Sequence, residues 1–98
     1  MNTTVDQVHA LFAKLTLPVL TDTESGDEGF HARTQAGRDT VEVRYQFGFY
    51  QTMEAADLAA SPQLRADFQR AVNAAPQYGY TVTWKPRTAL MHVTRTDN

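Results

Sequence analysis

The chain has 98 residues, 42% of them apolar, a formal net charge of −2 and no cysteine. That length makes one domain, residues 1–98, with room for one core; the missing cysteine excludes disulfide staples and thiolate metal sites and fits a reducing compartment. No apolar run approaches the roughly 18 residues of a membrane span, and no basic segment leads into an apolar run as in a signal peptide, so a cytoplasmic protein without membrane contact is expected.

Thr3 or Thr4 begins a helix, with Asp6 or Gln7 as the capping-box partner. Val5, Val8, Leu11, Phe12 and Leu15 form its apolar stripe, and Pro18 stops it by about residue 16, because the residue before a proline avoids the α region. Residues 17–20 read as an irregular lead or an edge strand. Residues 21–29 are polar and carry four carboxylates, Asp22, Glu24, Asp27 and Glu28, without the spacing of an EF-hand, so the expectation is a solvated loop.

Residues 30–35 alternate, and Ala36-Gly37 suits a turn. Over residues 40–50, Val41, Val43, Tyr45, Phe47 and Phe49 alternate with Glu42, Arg44, Gln46 and Gly48, which predicts one long strand with an apolar and a polar face. Pairing Gln35 with Arg38 sets Ala32 against Val41, Phe30 against Val43, His31 against Glu42 and Arg33 against Thr40. Thr52 caps a short helix over 53–60; Ser61-Pro62 starts another, with Leu64, Phe68, Val72 and Ala75 on its buried face and Pro76 at its end. Residues 78–84 alternate again, with Tyr78, Tyr80, Val82 and Trp84 in one phase. A type I turn at residues 85–88 pairs Lys85 with Thr88, Trp84 with Ala89, Val82 with Met91 and Tyr80 with Val93. The two hairpins then share one register at an offset of 50 residues, without sequence identity that would mark a duplication.

These elements predict an α+β fold of order α-β-β-α-α-β-β: a four-stranded antiparallel sheet of two hairpins, with helices on one face. The hairpin segments, 29–50 and 79–96, carry six cations (Arg33, Arg38, Arg44, Lys85, Arg87, Arg95) against Asp39 and Glu42, so the sheet is basic while the remainder is acidic.

The chemistry is sparse. The chain has no GxGxxG, P-loop, GxSxG or HExxH, and no nucleophilic cysteine. His31 and His92 fall on the polar phase of different strands at no metal-ligand spacing. No catalytic residue, metal or cofactor is assigned. A small-molecule site between sheet and helices has only core aromatics in its favour.

The expected function is a non-catalytic protein-binding module, a small adaptor or inhibitor that meets an acidic protein surface through the polar face or an edge of its sheet. Arg33, Arg44, Tyr50, Leu90 and His92 are the candidate binding residues: Arg and Tyr are common interface anchors, and Leu90 is apolar in a polar phase. Two open sheet edges also allow a homodimer. The alternative is nucleic-acid binding by the basic sheet, weakened because the alternating aromatics share the core phase and no RRM or KH signature is present.

Overall fold

The computed structural model describes residues 3–21, 26–35, 39–49, 51–85 and 87–96. The elements are α1 (Val5–Lys14), β1 (Gly29–Thr34), β2 (Val41–Gln46), α2 (Ala55–Ala59), α3 (Pro62–Ala74), a 3-10 turn (Ala75–Tyr78), β3 (Tyr80–Trp84) and β4 (Met91–Arg95). The order is therefore α-β-β-α-α-β-β, and the strands form one antiparallel sheet in the order β1-β2-β4-β3. The radius of gyration, 12.5 Å, is that of a single domain, about 13 Å at this length.

The helix ends follow their capping chemistry. The Thr4 hydroxyl accepts the Gln7 N–H while the Gln7 side chain accepts the Thr4 N–H, a complete capping box. At the other end Thr16 adopts a left-handed φ of 58°. Its N–H reaches the Ala13 carbonyl and the Leu17 N–H reaches the Phe12 carbonyl, both at 3.0 Å, so the chain leaves the helix through a Schellman turn before Pro18. Helix α2 is shorter than the residue pattern implies: Glu54 is its N-cap, and Thr52 instead pairs with Gln46. The α3 cap is Ser61, which accepts the Leu64 N–H. After α3 the chain tightens into the 3-10 turn, and Gly79 releases it at φ 83°.

Both hairpins depart from the expected register by two residues. Phe30 lies opposite Tyr45, Ala32 opposite Val43 and Arg33 opposite Glu42, while His31 faces Arg44. Val82 lies opposite Val93 and Trp84 opposite Met91. A slip of two preserves every side chain's face, so the apolar alternation does not distinguish the two registers. The Thr88 N–H does reach the Lys85 carbonyl, at 2.9 Å, but Ala89 and Leu90 stay outside the ladder. The longer loop costs little. In return Phe30 meets the Tyr45 ring edge-on at 5.1 Å, and the Trp84 indole N–H donates to the Thr88 carbonyl at 2.7 Å. The Ala36-Gly37 turn lies outside the described residues.

Because both hairpins shift together, the offset of 50 survives. The central strands pair Val41 with Val93, Glu42 with His92 and Val43 with Met91. At an offset of 50, Glu42 corresponds to His92 and Val41 to Met91, so the sheet has a local two-fold axis beside the Glu42–His92 pair. Helix α1 packs on β1 and α3 on β3, which extends the symmetry to the helices.

Strand β2 is shorter than predicted. It ends at Gln46, and Gly48 (φ 108°) and Phe49 (φ 44°) turn the chain back. The turn is closed by Phe47 N–H to the Gln51 carbonyl (2.7 Å) and Met53 N–H to the Tyr45 carbonyl (2.8 Å). Phe47 therefore packs against the core from its rim, and Phe49 is 70% exposed rather than buried. Tyr78, also read in the core phase, lies in the 3-10 turn, exposed, with the Lys14 ammonium 5.7 Å from its ring centre.

The core sits between the sheet and the helices. Val8, Leu11 and Phe12 of α1 and Phe68 and Ala71 of α3 are buried on Phe30, Ala32, Val41, Val43, Tyr45, Val82, Met91 and Val93 of the sheet. A chain of rings crosses it: Phe12 to Phe30 at 5.2 Å, Phe30 to Phe68 at 5.4 Å, and Phe68 to Trp84 at 5.3 Å. Such tilted ring pairs add to what area burial alone supplies.

Candidate functional site: the polar face of the sheet

The face of the sheet away from the helices carries His31 and Arg33 from β1, Glu42, Arg44 and Gln46 from β2, Thr81 and Thr83 from β3, and His92 and Thr94 from β4, because each lies in the phase opposite to the buried residues. Glu42 is at its centre, flanked by Arg33 on one side and His92 on the other. The Arg44 guanidinium Nε lies 2.7 Å from Glu42 Oε1, and the Gln35 amide donates to Oε2 at 3.2 Å. The Glu42 side chain is 14% exposed against 44% for Arg44. Burial by itself pushes the Glu42 carboxyl up, but the bonds from Arg44 and Gln35 and the charge of Arg33 together hold it below its ordinary value. Part of the positive charge expected of this face is therefore spent internally: Arg44 is paired, and Arg33 helps to neutralise the same carboxylate.

Four of the five candidate residues belong to this surface, and Tyr50 lies outside the described residues. Arg33 and Arg44 are exposed, while His92 and Leu90 are half-buried. Leu90 precedes β4 and stands between two hollows. One, of about 200 Å³, is lined by Thr83, Lys85, Thr88, Leu90 and His92. The other, of about 280 Å³, is bounded by Arg44, Met53, Glu54, Ala89 and Leu90. Leu90 thus links His92 on one side to Arg44 on the other. Arg33 lies across Glu42 from His92.

His31 leaves this group. Its Nδ1–H donates to the Leu20 carbonyl at 2.9 Å, and its ring lies 5.9 Å from that of His9. Strand β2 separates it from His92, so the two histidines do not share a site. Contacts around it also cover the first half of the β1 edge. The Phe30 N–H donates to the Pro18 carbonyl at 2.8 Å, the Leu20 N–H to the Phe30 carbonyl, and the Ala32 N–H to His9 Nε2 at 3.1 Å. Residues 17–20 are thus an irregular lead that makes one parallel bridge, Val19 to Phe30.

Accepting the Ala32 N–H requires a neutral His9 imidazole. Burial, then the neighbouring His31, hold His9 below its ordinary value of 6.5, against the opposing pull of Asp6. Protons therefore bind the unfolded chain more readily, and stability falls as pH drops below about 6.5. The site is partly solvated, so the loss is expected to stay under about 1 kcal/mol. Urea midpoints at pH 7.5 and 5.5 should separate in the parent and draw together in His9→Gln; an unchanged separation in the variant would assign the acid sensitivity to other groups.

Sequence reasoning missed three features. His9 is one, although it flanks the α1 stripe, four residues after Val5 and three before Phe12. Thr3 is another: it is buried, its N–H donates to Asp39 at 2.6 Å and its hydroxyl accepts the Arg95 N–H at 3.0 Å, tying the first described residue to both hairpins. The third is Glu28 of the acidic loop, which accepts the Tyr45 hydroxyl at 3.0 Å; burial and this carboxylate push the phenol up to about 12. Among the described residues no three His, Asp or Glu side chains gather as metal ligands, and no helix is long and apolar enough to cross a membrane. Comparison with protein-family models, curated proteins and solved structures finds no match to this chain.

Proposed function

We propose that this chain is a non-catalytic binding module, a small adaptor or inhibitor, that takes an acidic protein surface on the polar face of its sheet. The observation that carries the reading is the position of Leu90. It is a half-buried apolar side chain between two hollows, on the face of the sheet away from α1 and α3, with Arg44 and the start of α2 bordering one hollow and Lys85 and His92 the other. An apolar centre rimmed by cationic and hydrogen-bonding groups is the usual anatomy of a protein-binding patch. The cations would act mainly on the association rate and on the choice of partner.

The test is affinity capture from the native cell with the parent, with Arg33→Glu/Leu90→Asp, and with Arg70→Glu on the exposed side of α3 as a control. A partner that binds the parent and the control, and binds the sheet variant at least about tenfold more weakly, supports the reading. A partner that holds all three alike docks elsewhere. Titration with single- and double-stranded DNA and RNA at two salt concentrations tests the alternative: phosphate binding by the sheet would weaken steeply with salt and be lost in the same variant.

A further inference from the structure

The two edges of the sheet are not alike. On β1 the outward backbone groups belong to Phe30, Ala32 and Thr34; Pro18 and Leu20 occupy both groups of Phe30, and His9 takes the Ala32 N–H. On β3 the parity is set by the Thr96 N–H, which donates to the Gly79 carbonyl. Gly79, Thr81 and Thr83 therefore face β4, and Tyr80, Val82 and Trp84 direct their N–H and C=O groups outward. Among the described residues no backbone or side-chain group closes that edge. Nor does β3 carry the usual protections of an edge strand, since residues 80–84 include no charge, no proline and no bulge.

The strand is also self-complementary. Its sequence, Tyr-Thr-Val-Thr-Trp, reads aromatic, Thr, Val, Thr, aromatic in either direction about Val82. We propose that β3 is a homodimer edge: two copies join antiparallel through β3, with Val82 on the two-fold axis, into one eight-stranded sheet. Val82 would exchange both backbone hydrogen bonds with its counterpart, and Tyr80 would exchange both with Trp84 of the second copy. Thr81 would stand directly opposite Thr83 of the second copy on the polar face. Aromatic and Thr–Thr cross-strand pairs are among those that stabilise sheets, and a closed two-fold contact needs this kind of reciprocity. The polar face would double in extent. The hollow that Leu90 and Thr83 line would lie next to its symmetry mate, because Thr83 belongs to the joining strand. The proposal concerns the edge, and stands whether or not the polar face binds an acidic partner.

The chain has no cysteine, so single cysteines can be placed at will. Thr81 and Thr83 are exposed, and their replacement leaves the core untouched. In the proposed dimer, residues 81 and 83 of opposite copies form a non-hydrogen-bonded pair with Cα atoms about 4.5 Å apart, inside disulfide range. Mixed Thr81→Cys and Thr83→Cys proteins should oxidise to a crosslinked dimer several-fold faster than either alone. Sedimentation should show the parent dimeric and Thr81→Lys/Thr83→Lys monomeric, since each lysine would face another. Mixing that variant with Thr81→Glu/Thr83→Glu should restore a dimer, an outcome that mere loss of stability does not produce. A parent monomeric at about 1 mM, or a dimer whose crosslinking ignores the 81–83 pairing, would overturn the proposal; a strand of another protein on this edge would appear as a monomeric parent that the lysine variant prevents from binding that protein.

Discussion

Phe68→Ala should cost about 3–5 kcal/mol, whereas Arg44→Ala should cost under about 1 kcal/mol. Phe68 is fully buried on α3, with the Phe30 ring 5.4 Å and the Trp84 ring 5.3 Å away. Removing it takes away the transfer free energy of the ring and leaves a cavity between two aromatic groups that cannot collapse together without moving α3 off β3. Arg44 is a surface residue whose main bond is an ion pair with Glu42, and Glu42 keeps the Gln35 amide when Arg44 is lost. Urea melts read by the emission of Trp84, the chain's one tryptophan, would separate the two cases. Should Arg44→Ala prove the more damaging, the Glu42 cluster rather than the aromatic chain would be the principal determinant of this sheet's stability.

The contrast between these residues was legible from alternation alone. Phe68 falls at helical spacing between Leu64 and Val72, and Arg44 falls between Val43 and Tyr45 in the opposite strand phase. Face is a property of parity, and parity survives a slip of two residues. Register is not. Whether Phe30 meets Val43 or Tyr45 depends on ring packing and on how many residues the loop retains, and neither is visible in a period-two pattern. The same slip places Ala89 and Leu90 outside the ladder, so the sequence marked Leu90 as an apolar residue in a polar phase but not as the divider between two hollows. Long-range polar partners were invisible for another reason. Ala32 with His9, Thr3 with Arg95 and Tyr45 with Glu28 join elements that local patterns treat separately. Topology also decides the fate of the histidines, since strand order sends His31 to the β1 edge and His92 to the sheet centre.

The sharpest failure of alternation is at Gly48, and it is also the most testable. Val41 to Phe49 keeps its period in sequence, yet the strand stops at Gln46. Gly48 has φ 108°, a conformation L side chains rarely adopt, and a Cβ built on it would lie 2.8 Å from the Gly26 carbonyl oxygen. Two independent costs therefore meet at one position. Gly79 provides the comparison, because it has φ 83° but nothing within 4 Å of its would-be Cβ. Gly79→Ala should lose only the backbone term, about 1–2 kcal/mol. Gly48→Ala should lose that and the contact with a backbone atom, about 2–4 kcal/mol in all. Two urea melts decide. If the two alanines cost the same, the 26–28 segment yields to the new methyl group, and Tyr45→Phe in the Gly48→Ala background should then cost less than in the parent, because the Glu28 carboxylate would already have left the Tyr45 hydroxyl. If Gly48→Ala costs more, the close approach of Gly26 and Gly48 holds the turn closed, and with it the left-handed Phe49 whose ring lies against Gly26 at the end of β2.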